Sequence, residues 1–324
     1  MCDNTERTRT RPRGSLLIAA VLLLSCASSM SYAVSPVIAI NDEAKTANIQ
    51  SQPIRGNLTV LMGSGGNITV LAAGGEKLLI DGGIAYSRQN LERALTKISA
   101  GPPKYLINTH YHWDHTDSNG WLHQEGATIV AQQNTLKRLS VDTRVDDWEW
   151  TFPAAPPEAR PTVLMQSAKS MRFHGSTIEL KYYGPCHTDS DIWAYFVEAN
   201  VLATGDTFWN GVYPFIDNEN GGSIDGMIRA ANANIAKAGP GTIVVPGHGP
   251  LGGKKELIEF RDMLVAIRGK VATLKQQGLT REQIIAAKPT SEFDAKWGGF
   301  VLDGAFFTRI VYDGLPKGTA HDQQ

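Results

Sequence analysis

The sequence has little that would place it among nucleic-acid-binding, disulfide-rich or membrane-spanning proteins. Its 31 Lys and Arg residues nearly balance its 32 Asp and Glu residues, so no basic field is present that would attract a polyanion. Of its three cysteines, Cys2 and Cys26 lie near the N-terminus and Cys186 stands alone in the body of the chain, which leaves it no intramolecular disulfide partner there. We expect a small-molecule substrate and no nucleic acid partner, and nothing in the composition favours one oligomeric state over another.

The longest apolar run, residues 16–24, is too short to cross a bilayer, which takes about 20 residues. It follows four arginines within residues 7–13 and precedes small residues at positions 31 and 33, the pattern of a secretory signal. We predict that residues 1–33 are a cleaved signal peptide and that the mature protein is periplasmic or secreted, with no membrane span. Lipid attachment at Cys26 is the alternative. Cleavage removes four basic and two acidic residues, which leaves 27 and 30 and a formal charge of −3.

The order of patterns along the rest of the chain predicts one α/β domain. Residues 34–53 are polar and aperiodic and predict a flexible tether, so the domain is expected over residues 54–324. A strand-rich half, a helix and a second strand-rich half indicate two packed sheets with helices outside. A helix and a strand from about residue 254 are expected to pack onto this domain. The patterns predict strands at residues 58–62, 68–72, 77–80, 104–109, 128–131, 171–173, 177–183, 192–197, 201–204 and 242–245, and helices at 88–99, 226–238 and 254–277.

Residues 142–162 interrupt this alternation with two tryptophans and four prolines. A long irregular segment of this kind is either a lid over a site or a solvated loop. The sequence favours neither interpretation over the other.

The strongest chemical signal is a run of metal-capable side chains directly after the predicted strand at 104–109. The run reads His110-Tyr111-His112-Trp113-Asp114-His115, so three of the eight histidines fall within six positions. A single histidine is more often a hydrogen-bonded or surface residue than a ligand. Two further histidines, His187 and His248, lie in turns with Gly and Pro after other predicted strands. Together these residues predict one shared metal site.

The order and spacing of these motifs resemble the metallo-β-lactamase superfamily over about residues 54–260. The other motifs that carry the resemblance are Gly184-Pro185-Cys186-His187-Thr188, Thr204-Gly205-Asp206 and Pro246-Gly247-His248-Gly249. Asp81, in Leu79-Ile80-Asp81-Gly82-Gly83, matches the aspartate that precedes the first helix in that family. The resemblance implies a four-layer αββα sandwich.

The resemblance also implies seven ligands for two metal ions. One ion would be held by His110, His112 and His187, the other by Asp114, His115 and His248, and Asp206 would bridge the two. Asp114 would in addition orient the attacking water or take its proton, which makes it the expected catalytic residue. Asp81 would fix a ligand loop by hydrogen bonds.

Five imidazoles and two carboxylates form a nitrogen and oxygen donor set that suits zinc, with iron and manganese as alternatives. We therefore expect two Zn²⁺ ions per chain. Two such ions about 3.5–4 Å apart lower the pKa of a shared water toward 7, so that a bridging hydroxide attacks a carbonyl carbon. The expected function is metal-dependent hydrolysis of a β-lactam, lactone, ester or thioester.

The segment from Asp206 to Asp217 resembles an exported branch of the superfamily that holds sulfur-oxidation and quinoprotein-relay hydrolases. Trp209 stands where many true lactamases have a lysine and the acyl-homoserine lactonases have a tyrosine, and the region after Lys270 offers no basic cradle for glutathione. We expect Trp209 and Tyr213 to face the substrate.

Cys186 is expected to be a small buried residue and not a ligand, because Asp206 takes the place of the cysteine ligand found in one branch of the lactamases. Two other functions stay open. One is a mononuclear-iron oxidoreductase like the persulfide dioxygenases, and the other is a maturation or binding factor for a quinone cofactor.

Overall fold

The computed structural model describes residues 35–316. The predicted signal peptide and the candidate lipid site Cys26 lie outside the described residues. Within these limits, the chain forms fourteen strands. They are β1 Gln50–Pro53, β2 Leu58–Met62, β3 Ile68–Ala73, β4 Glu76–Ile80, β5 Pro103–Ile107, β6 Thr128–Gln132, β7 Thr143–Val145, β8 Trp150–Phe152, β9 Val163–Met165, β10 Ala168–Phe173, β11 Ser176–Tyr182, β12 Ile192–Phe196, β13 Val201–Ala203 and β14 Ile243–Val245.

Two sheets hold most of these strands. The first has seven strands in the order β1-β2-β3-β4-β5-β6-β9, antiparallel as far as β4 and parallel from β4 to β9. The second has five in the order β10-β11-β12-β13-β14, and its only parallel pair is β13 with β14. Strands β7 and β8 form a separate hairpin. All ten strands predicted from the sequence are present, with small shifts at their ends.

The alternation of side chains along the strands places the cores between layers. In β4, Leu78 and Ile80 face the second sheet, whereas Leu79 faces the helices outside the first sheet. Likewise, Val245 of β14 packs between the sheets and its neighbour Val244 packs against the outer helices of the second sheet. Since successive strand residues point to opposite faces, each buried strand contributes side chains to two cores. The predicted four-layer αββα sandwich is confirmed.

Helices cover both outer faces of this sandwich. Buried residues of α2 and α4 pack on the first sheet, and those of α6, α7, α8 and α10 form the large core beside the second sheet. The helices are α1 Pro36–Lys45, α2 Arg88–Ile98, α3 Trp113–Thr116, α4 Asn119–Gln124, α5 Gln133–Leu139, α6 Ile224–Lys237, α7 Lys254–Gln276, α8 Arg281–Ala286, α9 Asp294–Trp297 and α10 Gly304–Gly314. In the part of the chain described, no helix combines the length and the apolar character that a membrane span requires.

Two expectations about the ends of the domain are wrong. The predicted tether at 34–53 contains helix α1 and strand β1, because the Ser35 hydroxyl caps α1 by accepting from the Val37 amide, and β1 pairs with β2. Pro36 supports this helix start, since the proline ring presets the helical φ angle. The strand expected after residue 254 is also absent, as residues 254–316 form only helices and connecting segments.

Candidate metal centre

The seven side chains predicted as ligands converge, and all are buried. Each lies just beyond a strand: the run from His110 follows β5, His187 follows β11, Asp206 follows β13 and His248 follows β14. The parallel pairing of β13 with β14 sets the last two turns side by side. The side chains form two groups, and within each group the ligand atoms all lie within 4.8 Å of one another. The first is His110, His112, His187 and Asp206, and the second is Asp114, His115 and His248.

The carboxylate of Asp206 lies between the two groups. Its Oδ2 is 3.4 Å from Nε2 of His187 and 3.8 Å from Nε2 of His110 in the first group. Its Oδ1 is 3.0 Å from Nε2 of His115, and its Oδ2 is 3.5 Å from Nε2 of His248, in the second group. No other carboxylate within the described residues approaches four of these histidines, so Asp206 alone is placed to join the groups.

The hydrogen bonds around His112 and His187 leave two lone pairs facing each other. Nδ1 of His187 lies 2.8 Å from the carbonyl oxygen of Phe215 and must carry the proton, because a carbonyl only accepts. Nε2 of His112 lies 3.0 Å from the carboxylate of Asp217 and donates to it. The remaining nitrogens, Nδ1 of His112 and Nε2 of His187, are 2.9 Å apart. In their neutral forms neither carries a proton, so this approach requires a proton or a cation between them.

Several inward-facing atoms are buried and close to one another, His115 Nε2 being 3.0 Å from Asp206 Oδ1, yet none makes a hydrogen bond of acceptable geometry. They are Nε2 of His110, Nε2 of His115, Nε2 of His248 and Oδ1 of Asp206. Buried polar atoms are normally satisfied, and leaving one without a partner costs about 1–3 kcal/mol. Four such atoms at one place, with imidazole and carboxylate chemistry, match what a divalent cation needs. The donor set therefore fits a metal pair.

The outward-facing nitrogens of His110 and His115 are held by fixed partners. Nδ1 of His110 lies 3.0 Å from the Thr109 hydroxyl, and Nδ1 of His115 lies 2.9 Å from Oδ2 of Asp81. Such bonds orient a ligating imidazole and select its tautomer, which is how protein metal sites hold their histidines.

The electrostatics of the groups follow from burial and from the acids among them. Burial lowers the pKa of His187, and burial together with neighbouring histidines lowers that of His110 well below its usual value. Burial also disfavours charge on His248, but the carboxylates of Asp206 and Asp114 outweigh it and raise its pKa to about 9. The same acids raise the pKa of His115 well above normal, against burial. The first group thus disfavours protons, and the second is surrounded by negative charge.

Asp81 holds the turn that carries the first four candidate ligands. Its Oδ1 accepts from the amide of Thr109, and its Oδ2 accepts from the Thr109 hydroxyl and from His115. Its backbone has a positive φ of 64°, a conformation that costs free energy in any residue except glycine. The predicted positioning role for Asp81 agrees with these contacts.

Two positioning residues were missed by sequence reasoning. Asp217 accepts from His112, Tyr111 and the side chain of Asn220, and the bonds from His112 and Tyr111 help keep the pKa of this acid low despite its burial. Asn67, in the turn between β2 and β3, donates its side-chain amide to the carbonyls of Pro246 and Gly249 and so supports the His248 turn. No local pattern identifies either residue, because the partners that link them to the site, His112 and Tyr111 for Asp217 and the His248 turn for Asn67, lie more than 100 residues away in the chain.

Two glycines allow the backbone to approach the ligands closely. A Cβ atom on Gly247 would lie 1.9 Å from Oδ1 of Asp206, and one on Gly66 would lie 2.1 Å from Cε1 of His115. Any side chain at these positions would displace a candidate ligand.

Comparison with known proteins identifies the family. A sequence model described as "Metallo-beta-lactamase superfamily" matches residues 61–248, more than half of the chain. The chain belongs to the metallo-beta-lactamase superfamily. No curated protein matches it by sequence.

Solved structures agree with this superfamily assignment at the level of the fold. The DIM-1 metallo-beta-lactamase is 17% identical, with a TM-score of 0.53 over 67% of this chain and 97% of that chain. A metallo-beta-lactamase from Pontibacter korlensis is also 17% identical, with a TM-score of 0.54 over 67% of this chain and 99% of that one. The stereoselective inverting sec-alkylsulfatase Pisa1 from Pseudomonas sp. gives 0.62 at 17% identity. That match covers 85% of this chain and 52% of Pisa1, so this superfamily member spans about half the length of the sulfatase.

The two aromatics predicted to face the substrate do not do so. Tyr213 is fully buried, stacks on Phe307 and donates its hydroxyl to Asp294 at 2.9 Å, so it belongs to the core. Trp209 is 4% exposed and lies behind His248, with 4.2 Å between the ring centroids. It supports a candidate ligand and is not part of a cavity wall beside it. Aromatic character alone could not separate these packing roles from substrate contact.

Cys186 and the histidines outside the candidate ligand set make ordinary contacts where the structure describes them. Cys186 is buried as predicted and donates to Asp191 at 3.2 Å, outside both groups. Nδ1 of His123 lies 2.8 Å from the carbonyl of Ala127, and Nε2 of His174 lies 2.9 Å from Glu76. His321 lies outside the described residues.

The segment 142–162 lies beside the site, with its aromatic side chains packed inward and ten of its 21 residues exposed. Phe152, in its β7–β8 hairpin, stacks on Trp113 with ring centroids 5.0 Å apart, and Trp148 is buried. Residues 152–156 wall a cavity of about 180 Å³ that reaches His112. The segment therefore covers the His112 side of the site.

Proposed function

We propose that this protein is a two-metal hydrolase that attacks an acyl carbon, with the seven converging side chains as its metal ligands. The chain belongs to the metallo-beta-lactamase superfamily and contains a cluster of side chains that could hold divalent metal. The identity of the metal, the roles of the ligands and the reaction are proposals. Zinc is the proposed metal because the donors are five imidazoles and two carboxylates.

The observation that carries this proposal is the contact of Asp206 with histidines of both groups. A site for one ion would need only one group, yet this carboxylate is 3.4 Å from His187 and 3.0 Å from His115. The four buried atoms without partners are distributed over both groups as well. This arrangement favours a metal pair over the single iron of a dioxygenase.

When bound, a pair of divalent cations supplies Lewis acidity and a water ionised near neutral pH. The chain's own residues provide orientation and proton transfer. Asp114, His248 and His112 are 8%, 9% and 6% exposed, whereas His110, His115 and His187 are fully buried. Cavities of about 560 Å³ and 180 Å³ reach His248 and His112, respectively, and we propose that substrate approaches through the larger one, beside His248. Oδ2 of Asp114 is 3.1 Å from Nε2 of His248. We propose that this carboxylate orients the attacking water and accepts its proton.

The residues around the site also exclude competing solvent. Trp113 on one side and Trp209 behind His248 are packed against other aromatic rings. A site with apolar surroundings strengthens the electrostatic interactions made inside it. No serine or cysteine nucleophile is needed, and the one cysteine near the site is engaged with Asp191.

The test pairs metal content with turnover on purified mature protein. Metal per chain is measured after reconstitution with Zn²⁺, Fe²⁺ or Mn²⁺, and hydrolysis is assayed on β-lactams, lactones, esters and thioesters. The proposal requires about two ions per chain and turnover of at least one class, lost on chelation and restored by metal. One iron per chain with consumption of oxygen would contradict it in favour of an oxidoreductase. Metal binding without turnover of any class would favour a binding or maturation factor.

We also propose that the protein is exported. The support is the N-terminal pattern of arginines, apolar run and small residues at positions 31 and 33. Mass determination of protein recovered from the periplasm or medium tests this, since cleavage after Ala33 gives a defined N-terminus. Retention of Met1 in the cell interior would contradict it.

A further inference from the structure

A cavity of about 560 Å³ opens beside His248, on the side where substrate is proposed to approach. Ligand pockets commonly measure about 300–1,000 Å³, so this cavity lies within the usual range, whereas the 180 Å³ cavity near His112 lies below it. Five separated segments form its walls: helix α1 with the residues that follow it, the turn between β2 and β3, Ile84, the His248 turn and the loop containing Phe300.

The lining of this cavity is apolar and carries one charge. The only ionisable side chains in the lining are Glu43 and His248, and no lysine or arginine contributes to it. With His248 neutral as a metal ligand, a carboxylate, sulfate or phosphate group placed away from the metals would meet no cationic side chain of the lining and would be near the charge of Glu43. The apolar side chains that line it are Ile40, Ala44, Ala47, Met62, Ile84, Phe300 and Val301.

The cavity reaches the candidate metal centre directly. His248 lines it, and the Phe300 ring lies 6.1 Å from the His248 ring between centroids. Gly65 also lines it, and a Cβ on Gly65 would lie 2.5 Å from the backbone oxygen of Asp114. A molecule in this cavity would therefore be next to two members of the second ligand group.

The α1 wall is ordered by its own contacts. Val37 is buried in the large core, Asn41 accepts from the indole of Trp113 at 3.1 Å, and Ser35 donates to the carbonyl of Trp148 at 2.6 Å. In contrast, Phe300 is 52% exposed although it is a large aromatic side chain. An exposed aromatic at the edge of an apolar cavity gains most when a ligand covers it.

We propose that this cavity binds the uncharged, apolar part of the substrate, an alkyl or aryl group, and that Phe300 and Ile40 determine the preference for it. The inference rests on the proposed hydrolase function, because it assigns the substrate class of that same site. In this proposal, helix α1 and the loop containing Phe300 are parts of the substrate pocket. The sequence had predicted a tether where α1 lies.

The first test uses 4-nitrophenyl esters of acetate, butanoate and hexanoate with zinc-reconstituted mature protein. Each buried methylene should raise kcat/KM about threefold to fourfold. Phe300→Ala should lower kcat/KM for the hexanoate about tenfold and change the acetate little. Val265→Ala is the matched control, since it removes an apolar side chain that is 45% exposed on α7. The mono-4-nitrophenyl ester of adipate, which carries a carboxylate at the end of the same chain, should be a poor substrate and should improve relative to hexanoate in Glu43→Lys.

The second test measures binding without turnover. Hexylamine carrying an uncharged nitrobenzofurazan fluorophore should bind the wild type and Val265→Ala alike and bind Phe300→Ala about tenfold more weakly. Hydrolysis that is independent of chain length and unaffected by Phe300→Ala would overturn this inference and leave the hydrolase proposal standing. Binding that depends on Phe300, with no ester turned over, would support the pocket and count against hydrolysis of esters. Absence of both would overturn the inference.

Discussion

The two sheets supply the candidate ligands in different ways. The first sheet provides His110, His112, Asp114 and His115 from one turn after β5, whereas the second provides His187, Asp206 and His248 from three separate turns. A contiguous run keeps its members near one another whatever the rest of the chain does. The dispersed members meet only when β13 and β14 pair in parallel and the two sheets pack.

This difference indicates where substitutions should weaken metal binding most. Several contacts join the two halves at the centre: Asp206 approaches His115 and His110 of the first half, Asp217 accepts from His112, and Asn67 donates to the His248 turn. Changes at these links should affect metal binding more than changes of similar size elsewhere.

The largest effect is expected from Asp206→Ala, which removes the one carboxylate common to both groups. Turnover should fall below detection and metal content should drop to one ion per chain or fewer, because neither half retains the bridging ligand. Circular dichroism should remain close to that of the wild type, since the strands that carry the ligands have their own cores. Wild-type turnover in this variant with metal supplied would contradict the assignment.

Gly247→Ala and Gly66→Ala compare the two halves through steric displacement. The new methyl groups would lie 1.9 Å from Oδ1 of Asp206 and 2.1 Å from Cε1 of His115, respectively. A ligand displaced by about 1 Å can cost about 100-fold in rate. We expect Gly247→Ala to be the more damaging, because it moves the shared carboxylate. Gly269→Ala on α7, where a Cβ meets nothing within 4 Å, is the control and should leave turnover unchanged.

Asp217→Asn and Asp81→Asn test the acids that hold the histidines. Each removes a charged acceptor from a candidate ligand, and loss of such a partner typically costs about 10–100-fold in metal affinity or activity. Because Asp217 reaches His112 from the other half, its substitution should weaken the first group of ligands selectively. Competition with a chromophoric chelator would measure the affinity. Asp225, at the surface, pairs with Arg268, and Asp225→Asn should bind metal as the wild type does. Equal metal affinities in all three variants would contradict the positioning roles of Asp217 and Asp81.

The smallest effect on turnover is expected from Asn67→Ala. This change leaves the carbonyls of Pro246 and Gly249 without their donor, which should cost about 1–3 kcal/mol in the free energy of unfolding. Denaturant unfolding of the metal-free protein measures it, with exposed Asn232→Ala as the control. An unchanged free energy of unfolding would show that Asn67 does not link the halves.

Local signals predicted two packed sheets and a shared histidine site, and the resemblance to the superfamily implied the four-layer sandwich and the full set of seven side chains. Apolar runs between glycines marked the strands, and the six-residue run at His110 carried most of the site. Helix α1 was missed because residues 34–53 were taken together as aperiodic, although five of the ten residues of α1 are apolar and Ser35 followed by Pro36 is a helix-start signal. Asp217 and Asn67 were not identifiable, since their importance comes only from partners brought near by folding. Tyr213 was misassigned because burial decides whether an aromatic side chain packs or binds.

The most direct test of the central claim is an anomalous diffraction measurement on crystals of zinc-reconstituted mature protein, recorded on both sides of the zinc absorption edge. We expect two peaks per chain, one among His110, His112 and His187 and one among Asp114, His115 and His248, with Asp206 between them. A single peak, or none among these residues, would contradict the two-metal account.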